Sequence, residues 1–246
     1  MRPLGMPFTI RGFGIINMLV FLPLMLMPFT TRAALVKSNT PPPPFVPGNS
    51  IDEQNGNVVV VDVVGESRCP DTTRFYLNQL LPVFKRYRSR LRLNYHPYGP
   101  YKYTKCSRTS SGFECTCQHG SDECQKNALQ ACLIEALPNA EDHLDIVGCI
   151  QGPRNFNTSF QSCIVNHPRN GLIDQASILE CATNGRGMKL MSQHGEAAHV
   201  FAEDVYWVPW ISINGLRIPA AERHFEAVLC NQYFEPPPSE CLNPRL

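Results

Sequence analysis

The sequence has almost no net charge, +1 over 246 residues with 22 Lys and Arg against 21 Asp and Glu, so nothing in its overall balance calls for a nucleic-acid partner. Beyond the first 30 residues it has no apolar run long enough to cross a bilayer, which excludes a later membrane-spanning helix. The stretch 101–201 lacks a convincing strand pattern, although it holds eight of the eleven cysteines. An even cysteine count is also missing. In an oxidising compartment thiols tend to pair, so an odd number leaves at least one free or bonded to something outside the chain.

What is present begins with an address. Arg2 and Arg11 precede an apolar stretch at about 15–29, broken by Asn17, Pro23 and Pro28, and Thr31, Arg32 and Ala33 follow. That order is expected of a secretory signal peptide over 1–33, the interrupted run being short for a membrane anchor. Residues 34–55, with Pro41 to Pro44 and Pro47, read as an extended linker or pro-segment. Every cysteine lies after the expected cleavage point, and Asn157-Thr158-Ser159 is a glycosylation acceptor on the same route.

The chain is organised around residues 58–72. Six valines in seven residues at 58–64 suit a strand buried on both faces. Gly65 turns the chain, and Cys69-Pro70 then opens a helix in which Tyr76, Leu80, Val83, Phe84 and Tyr87 recur at helical spacing. A cysteine where a strand feeds a helix N-terminus faces unpaired N–H groups that favour a thiolate, so Cys69 is a candidate nucleophile. The local pattern alone serves a buried or disulfide-bonded cysteine equally well. The half of the chain around Cys69 is basic, with ten Lys or Arg against three acids over 62–112; such surroundings would favour a thiolate further, although the charges at 85–92 read more simply as a solvated helix face.

A second strand is expected at 91–95, making a parallel βαβ unit with the first. Short helices follow, the clearest at 122–137, where Cys124, Ala128, Cys132 and Leu133 share a face; the cysteines are expected to staple helices too short to bury enough surface alone. Strand character returns at 205–213, Asn214-Gly215 signals a type I′ hairpin, and Pro219 opens a last helix that Pro236 to Pro238 end. This is the element order of an α/β thioredoxin-like fold over 56–235, carrying a large disulfide-rich helical insertion at about 101–201 and a tail at 236–246.

Within the insertion, Cys117-Gln118-His119-Gly120, Glu123-Cys124, Asn127 and Cys132 match every fixed position of Cys-Gln-His-Gly-x-x-Glu-Cys-x-x-Asn-x-x-x-x-Cys. The chain therefore resembles the gamma-interferon-inducible lysosomal thiol reductase family, and Trp207-Val208-Pro209-Trp210 with Asn214-Gly215 is similar to that family too. The resemblance implies lysosomal or extracellular residence and reduction of protein disulfides at acidic pH by a Cys-x-x-Cys pair. It also implies that Pro209 is a cis proline beside the reactive cysteine, where backbone near Val208 and Pro209 holds substrate as an added strand. The chain departs from the family at one place: Cys69-Pro70-Asp71-Thr72 puts Thr72 where the resolving cysteine belongs.

Two readings follow. In the first, Cys69 is the nucleophile of a monothiol oxidoreductase acting on disulfide-bonded or unfolded proteins, with an external thiol as electron donor and no cofactor. In the second, a non-catalytic binding protein of the secretory or lysosomal pathway keeps the fold and its groove. A metal site built from Cys115, Cys117, His119 and Cys124 is sterically permitted, but the oxidising context favours disulfides and no metal is expected. His119 then reads as a structural or capping residue, and Glu66 and Asp71 as turn or surface chemistry.

Overall fold

The computed structural model describes residues 56–110 and 112–242. The expected signal peptide at 1–33 and linker at 34–55 lie outside the described residues, as do 243–246 of the expected tail.

The valine run forms β1 (Val59–Gly65), which feeds α1 (Pro70–Phe75), a π-helical segment (Tyr76–Leu80) and α2 (Leu81–Tyr87). Pro82 lacks the N–H that would continue the i→i−4 ladder, which accounts for the widened π turn just before it. The chain returns as β2 (Leu91–Pro97), paired parallel to β1 with Val59 opposite Leu91 and Val63 opposite Tyr95. At the far end β5 (Trp210–Ile213) pairs antiparallel with β1, and β6 (Leu216–Arg217) with β5, giving the sheet order β2-β1-β5-β6. Asn214 and Gly215, both at positive φ, make the connecting turn as their sequence leads one to expect. The helix α8 (Ala221–Val228) and the turns after it close the domain. This βαβ unit, antiparallel hairpin and closing helix make the fold thioredoxin-like.

Between β2 and β5 lie α3 (Ser121–Ala136), α4 (Ala140–Ile150), α5 (Phe156–Phe160), α6 (Gln175–Thr183) and α7 (Gly185–Ala198). The insertion is not wholly helical. A hairpin of β3 (Lys105–Thr109) and β4 (Gly112–Thr116) precedes α3, contrary to the expectation of no strand in 101–201. Its residues are mostly charged or hydroxylic and half-exposed, so it carries little hydrophobic alternation. The Cys106–Cys115 disulfide, between directly opposed residues, supplies the cross-link instead. The strand expected at 205–213 also begins late, because 205–209 form a loop that ends in Pro209.

All eleven cysteines are described, and ten form five disulfides: Cys106–Cys115, Cys117–Cys124, Cys132–Cys181, Cys149–Cys163 and Cys230–Cys241. The last ties residues expected as a tail back to the closing helix. The two ends of the domain are stitched as well: Asn57 N–H donates to Glu235 O at 3.0 Å, and Glu235 N–H to Asn57 Oδ1 at 2.8 Å.

One face of β1, with Val59, Val61 and Val63, packs into the main core beneath Phe75, Tyr76, Leu129 and Phe225. The other face is covered only near its C-terminal end, Val60 and Asp62 being half-buried. There Val64 joins Cys69, Tyr98, Met191, Val208 and Trp210 in a second cluster. Gly195 of α7 lets this cluster close, since a Cβ there would stand 2.7 Å from the Tyr98 ring.

Candidate active site

Cys69 is the N-cap of α1, with extended backbone (φ −63°, ψ 124°), and Pro70 is the first helical residue. It is the one free cysteine. Thr73 N–H and Thr73 Oγ1 both donate to Cys69 O, at 2.9 and 2.8 Å, which fixes the entry of the chain into the helix. Backbone N–H groups of Thr72 and Asp71 and the Thr72 hydroxyl lie where they favour a thiolate. Opposite them, Cys69 Sγ donates to Val208 O at 3.8 Å, just before the cis Val208–Pro209 peptide. The sequence-designated residues Cys69, Thr72, Val208 and Pro209 are therefore brought to one place.

The balance of forces on the sulfur differs from that expected. Burial of Cys69, 8% exposed, pushes its thiol above the usual range, and the helix-terminal donors offset this only in part. Four of the ten basic side chains counted over 62–112 are engaged elsewhere. Lys85 pairs with Asp145 at 2.6 Å, Arg86 with Glu226 at 3.1 Å, Arg74 with Asp71 at 2.5 Å and Arg68 with Asp122 at 3.1 Å. Thr72 is wholly buried, and its Oγ1 makes no hydrogen bond of standard geometry, so it acts on the sulfur as a nearby dipole. Its methyl group packs on Gly65, where a Cβ would come within 2.5 Å. Gly65 is thus required for the approach of the helix as much as for the turn.

The 117–132 signature converges on the loop that delivers Cys69. The Cys117–Cys124 disulfide and Gly120, at φ 87°, shape the start of α3. Asn127, fully buried, accepts Ser67 N–H through Oδ1 at 2.8 Å, while Gly152 N–H donates to Ser67 O at 2.8 Å. Lys126 Nζ in turn donates to Gly152 O at 2.5 Å. The peptide units flanking Ser67 are therefore held from both sides. Glu123, also buried, accepts His119 N–H at 3.0 Å and lies 2.7 Å from His119 Nδ1; the N-cap of α3 is Gly120, so the contact at this helix start is made by the Glu123 side chain to the His119 backbone. Cys132 serves the main core, bonded to Cys181; Gln118 and Asn157 are exposed.

The disfavoured alternative, metal binding through Cys115, Cys117, His119 and Cys124, is closed because all three sulfurs are committed to disulfides. One expectation fails here. Glu66, dismissed as turn or surface chemistry, is completely buried beside Glu123, and burial together with that neighbouring carboxylate pushes its pKa up to about 9. Gly99 backs it so closely that a Cβ would fall 2.0 Å from Glu66 Oε2. An acid placed directly between an apolar strand and a buried helix start was the available signal.

The chain matches the family described as Gamma interferon inducible lysosomal thiol reductase over residues 60–167. A GILT-like protein of Caenorhabditis elegans is 37% identical over 189 residues, covering 76% of this chain and 85% of that relative. One from Caenorhabditis briggsae is 39% identical over 191 residues, covering 76% and 84%. Among solved structures, DsbA of Chlamydia trachomatis aligns at a TM-score of 0.47 with 10% identity, over 72% of this chain and 88% of that one. With Cys69 at the N-cap of α1, the cis proline and the complete 117–132 signature in place, the chain belongs to the gamma interferon inducible lysosomal thiol reductase family.

Proposed function

We propose that the protein reduces disulfides of protein substrates through Cys69 alone, with a small external thiol as donor. The Cys69 thiolate attacks one substrate sulfur, forming a mixed disulfide and releasing the other as a thiolate. A donor thiol then attacks Cys69 Sγ, freeing the second substrate thiol. A second donor thiol releases Cys69 and departs with the first as a disulfide. One substrate disulfide and two donor thiols give two substrate thiols and one donor disulfide, and no step requires a thiol at Thr72. Backbone around Val208 and Pro209 supports pairing with an extended substrate segment, and exposed Tyr206 and Trp207 beside it offer apolar contact to an unfolded chain.

The observation that carries this reading is the pairing of ten sulfurs among themselves, which leaves the eleventh at the N-cap of α1 against the cis-proline loop. Exposed Asn157 and the disulfide content support passage through the secretory pathway to a lysosome or the exterior. Among the described residues no helix is long and apolar enough to cross a membrane. Turnover of a disulfide-bonded protein with a small thiol, compared with Cys69→Ser, is the test; equal rates overturn the proposal.

The shielded sulfur and Thr72 favour a second reading, a binding protein that captures substrate without turnover. Thr72→Cys separates the two. A competent monothiol enzyme mainly loses its dependence on external thiol, whereas an inert scaffold gains activity that the parent lacks.

A further inference from the structure

We propose that Glu66, His119 and Glu123 form a binding site for one divalent cation of the Zn²⁺ class, at the junction of the Cys69 loop with α3. One ligand atom from each lies within 4.8 Å of the others. His119 Nδ1 is 2.7 Å from Glu123 Oε2 and 3.5 Å from Glu66 Oε1. Ligands of a tetrahedral zinc bonded at about 2.0–2.1 Å stand about 3.3 Å apart, so small side-chain shifts bring these three into register.

The second observation is independent of that clustering. Both carboxylate oxygens of Glu66 are buried and make no hydrogen bond of standard geometry, their acidic neighbour being Glu123, and buried Thr104 Oγ1 is unpaired as well. A Cβ on Gly99 would touch Glu66 Oε2 at 2.0 Å and Thr104 Oγ1 at 2.3 Å, so those two atoms are neighbours. Buried polar atoms left unpaired together are what an ion or a water explains. The nearby cations are engaged: Arg68 with Asp122 at 3.1 Å, and Lys126 with Gly152 O at 2.5 Å. A dication would engage two buried carboxyl groups at once. An imidazole with only two carboxylates suits zinc better than calcium or magnesium, which take more oxygen ligands or keep several waters. Side chains of Glu66 and Glu123 are 1% and 0% exposed, whereas that of His119 is 34% exposed and gives the ion a way in.

The test is zinc binding by the otherwise intact Cys69→Ser chain, a background that removes the free thiol as a competing ligand. Calorimetry and elemental analysis after dialysis should show one Zn²⁺ per chain. Binding should weaken at least tenfold in His119→Gln and in Glu66→Gln, each checked for folding by circular dichroism. On the parent itself, Zn²⁺ should shift the His119 ring resonances, which keeps the proposal open to refutation if both variants misfold. Absence of stoichiometric binding, undiminished affinity in a folded variant, or unmoved His119 resonances at saturating Zn²⁺ would overturn it.

Discussion

Alkylation of Cys69 as a function of pH tests the central electrostatic result, that burial outweighs the helix terminus at this sulfur. Were the thiol tuned to about 5, half of it would be thiolate at pH 5. At or above the ordinary thiol pKa of about 8.5, no more than about three parts in ten thousand are ionised there. Thiolate concentration thus differs by at least about 1,500-fold. A Brønsted slope of about 0.45 returns about fortyfold, because the less acidic thiolate is the better nucleophile. The net expectation is alkylation at pH 5 about fortyfold slower than for an acidified thiol.

Iodoacetamide modification followed by mass spectrometry reads this directly, since the other ten cysteines are in disulfides and Cys69→Ser provides the blank. The rate should climb about tenfold per pH unit from 5 to 8 with no plateau, because burial holds the thiol above its usual range. Thr72→Val, which keeps the shape and removes the hydroxyl, should lower the rate severalfold at any pH below that range. A plateau below pH 7 would refute the reasoning, showing that the N–H groups of Asp71 and Thr72 overcome desolvation.

Other outcomes follow from the same structure. Asn127→Ala leaves the Ser67 N–H buried without an acceptor, and thermal or denaturant unfolding should register a loss of about 1–3 kcal/mol. Replacing Cys132 and Cys181 by Ala opens a cross-link between residues 49 apart, which the chain-entropy relation values at about 4 kcal/mol, measurable as a fall in denaturant midpoint. His194, lowered to about 3 by burial and by His96 beside it, binds its proton more readily unfolded. Its contribution is therefore complete above the unfolded value of about 6.5 and is lost as pH falls from there toward 3. Allowing for its partial exposure, the loss between pH 7 and 5 is about 1 kcal/mol, and His194→Gln should flatten the stability profile across that interval.

Much of this architecture was legible because its periodicities are strong. The valine run, the helical spacing from Tyr76 to Tyr87 and the Asn214-Gly215 turn each point to one local structure, and the odd cysteine count required an unpaired sulfur, for which Cys69 at a helix start was the candidate by position. The β3–β4 hairpin was not legible, because a disulfide between opposed residues replaces the apolar face that would have announced it. Nor was the acidity of Cys69. Charge counted along a sequence cannot show that Lys85, Arg86 and Arg74 each turn to a carboxylate of their own. Glu66 was missed for a related reason: its significance lies in Glu123, His119 and Gly99, all distant in sequence.

The signature and Cys69, about fifty residues apart in the chain, are physically one construction. Asn127 takes the Ser67 N–H, Gly152 donates to the Ser67 carbonyl, and Asp122 holds Arg68, so the residues just before Cys69 have their backbone or charge held by groups in or near α3. Fixing that loop fixes where α1 begins, and hence where its first N–H groups point. Cys117–Cys124 and Cys132–Cys181 in turn brace α3 at its start and toward its end. None of these contacts involves the side chain at position 72. A threonine at position 72 therefore leaves the support of the Cys69 loop intact, which is why a complete signature can accompany the sequence Cys69-Pro70-Asp71-Thr72.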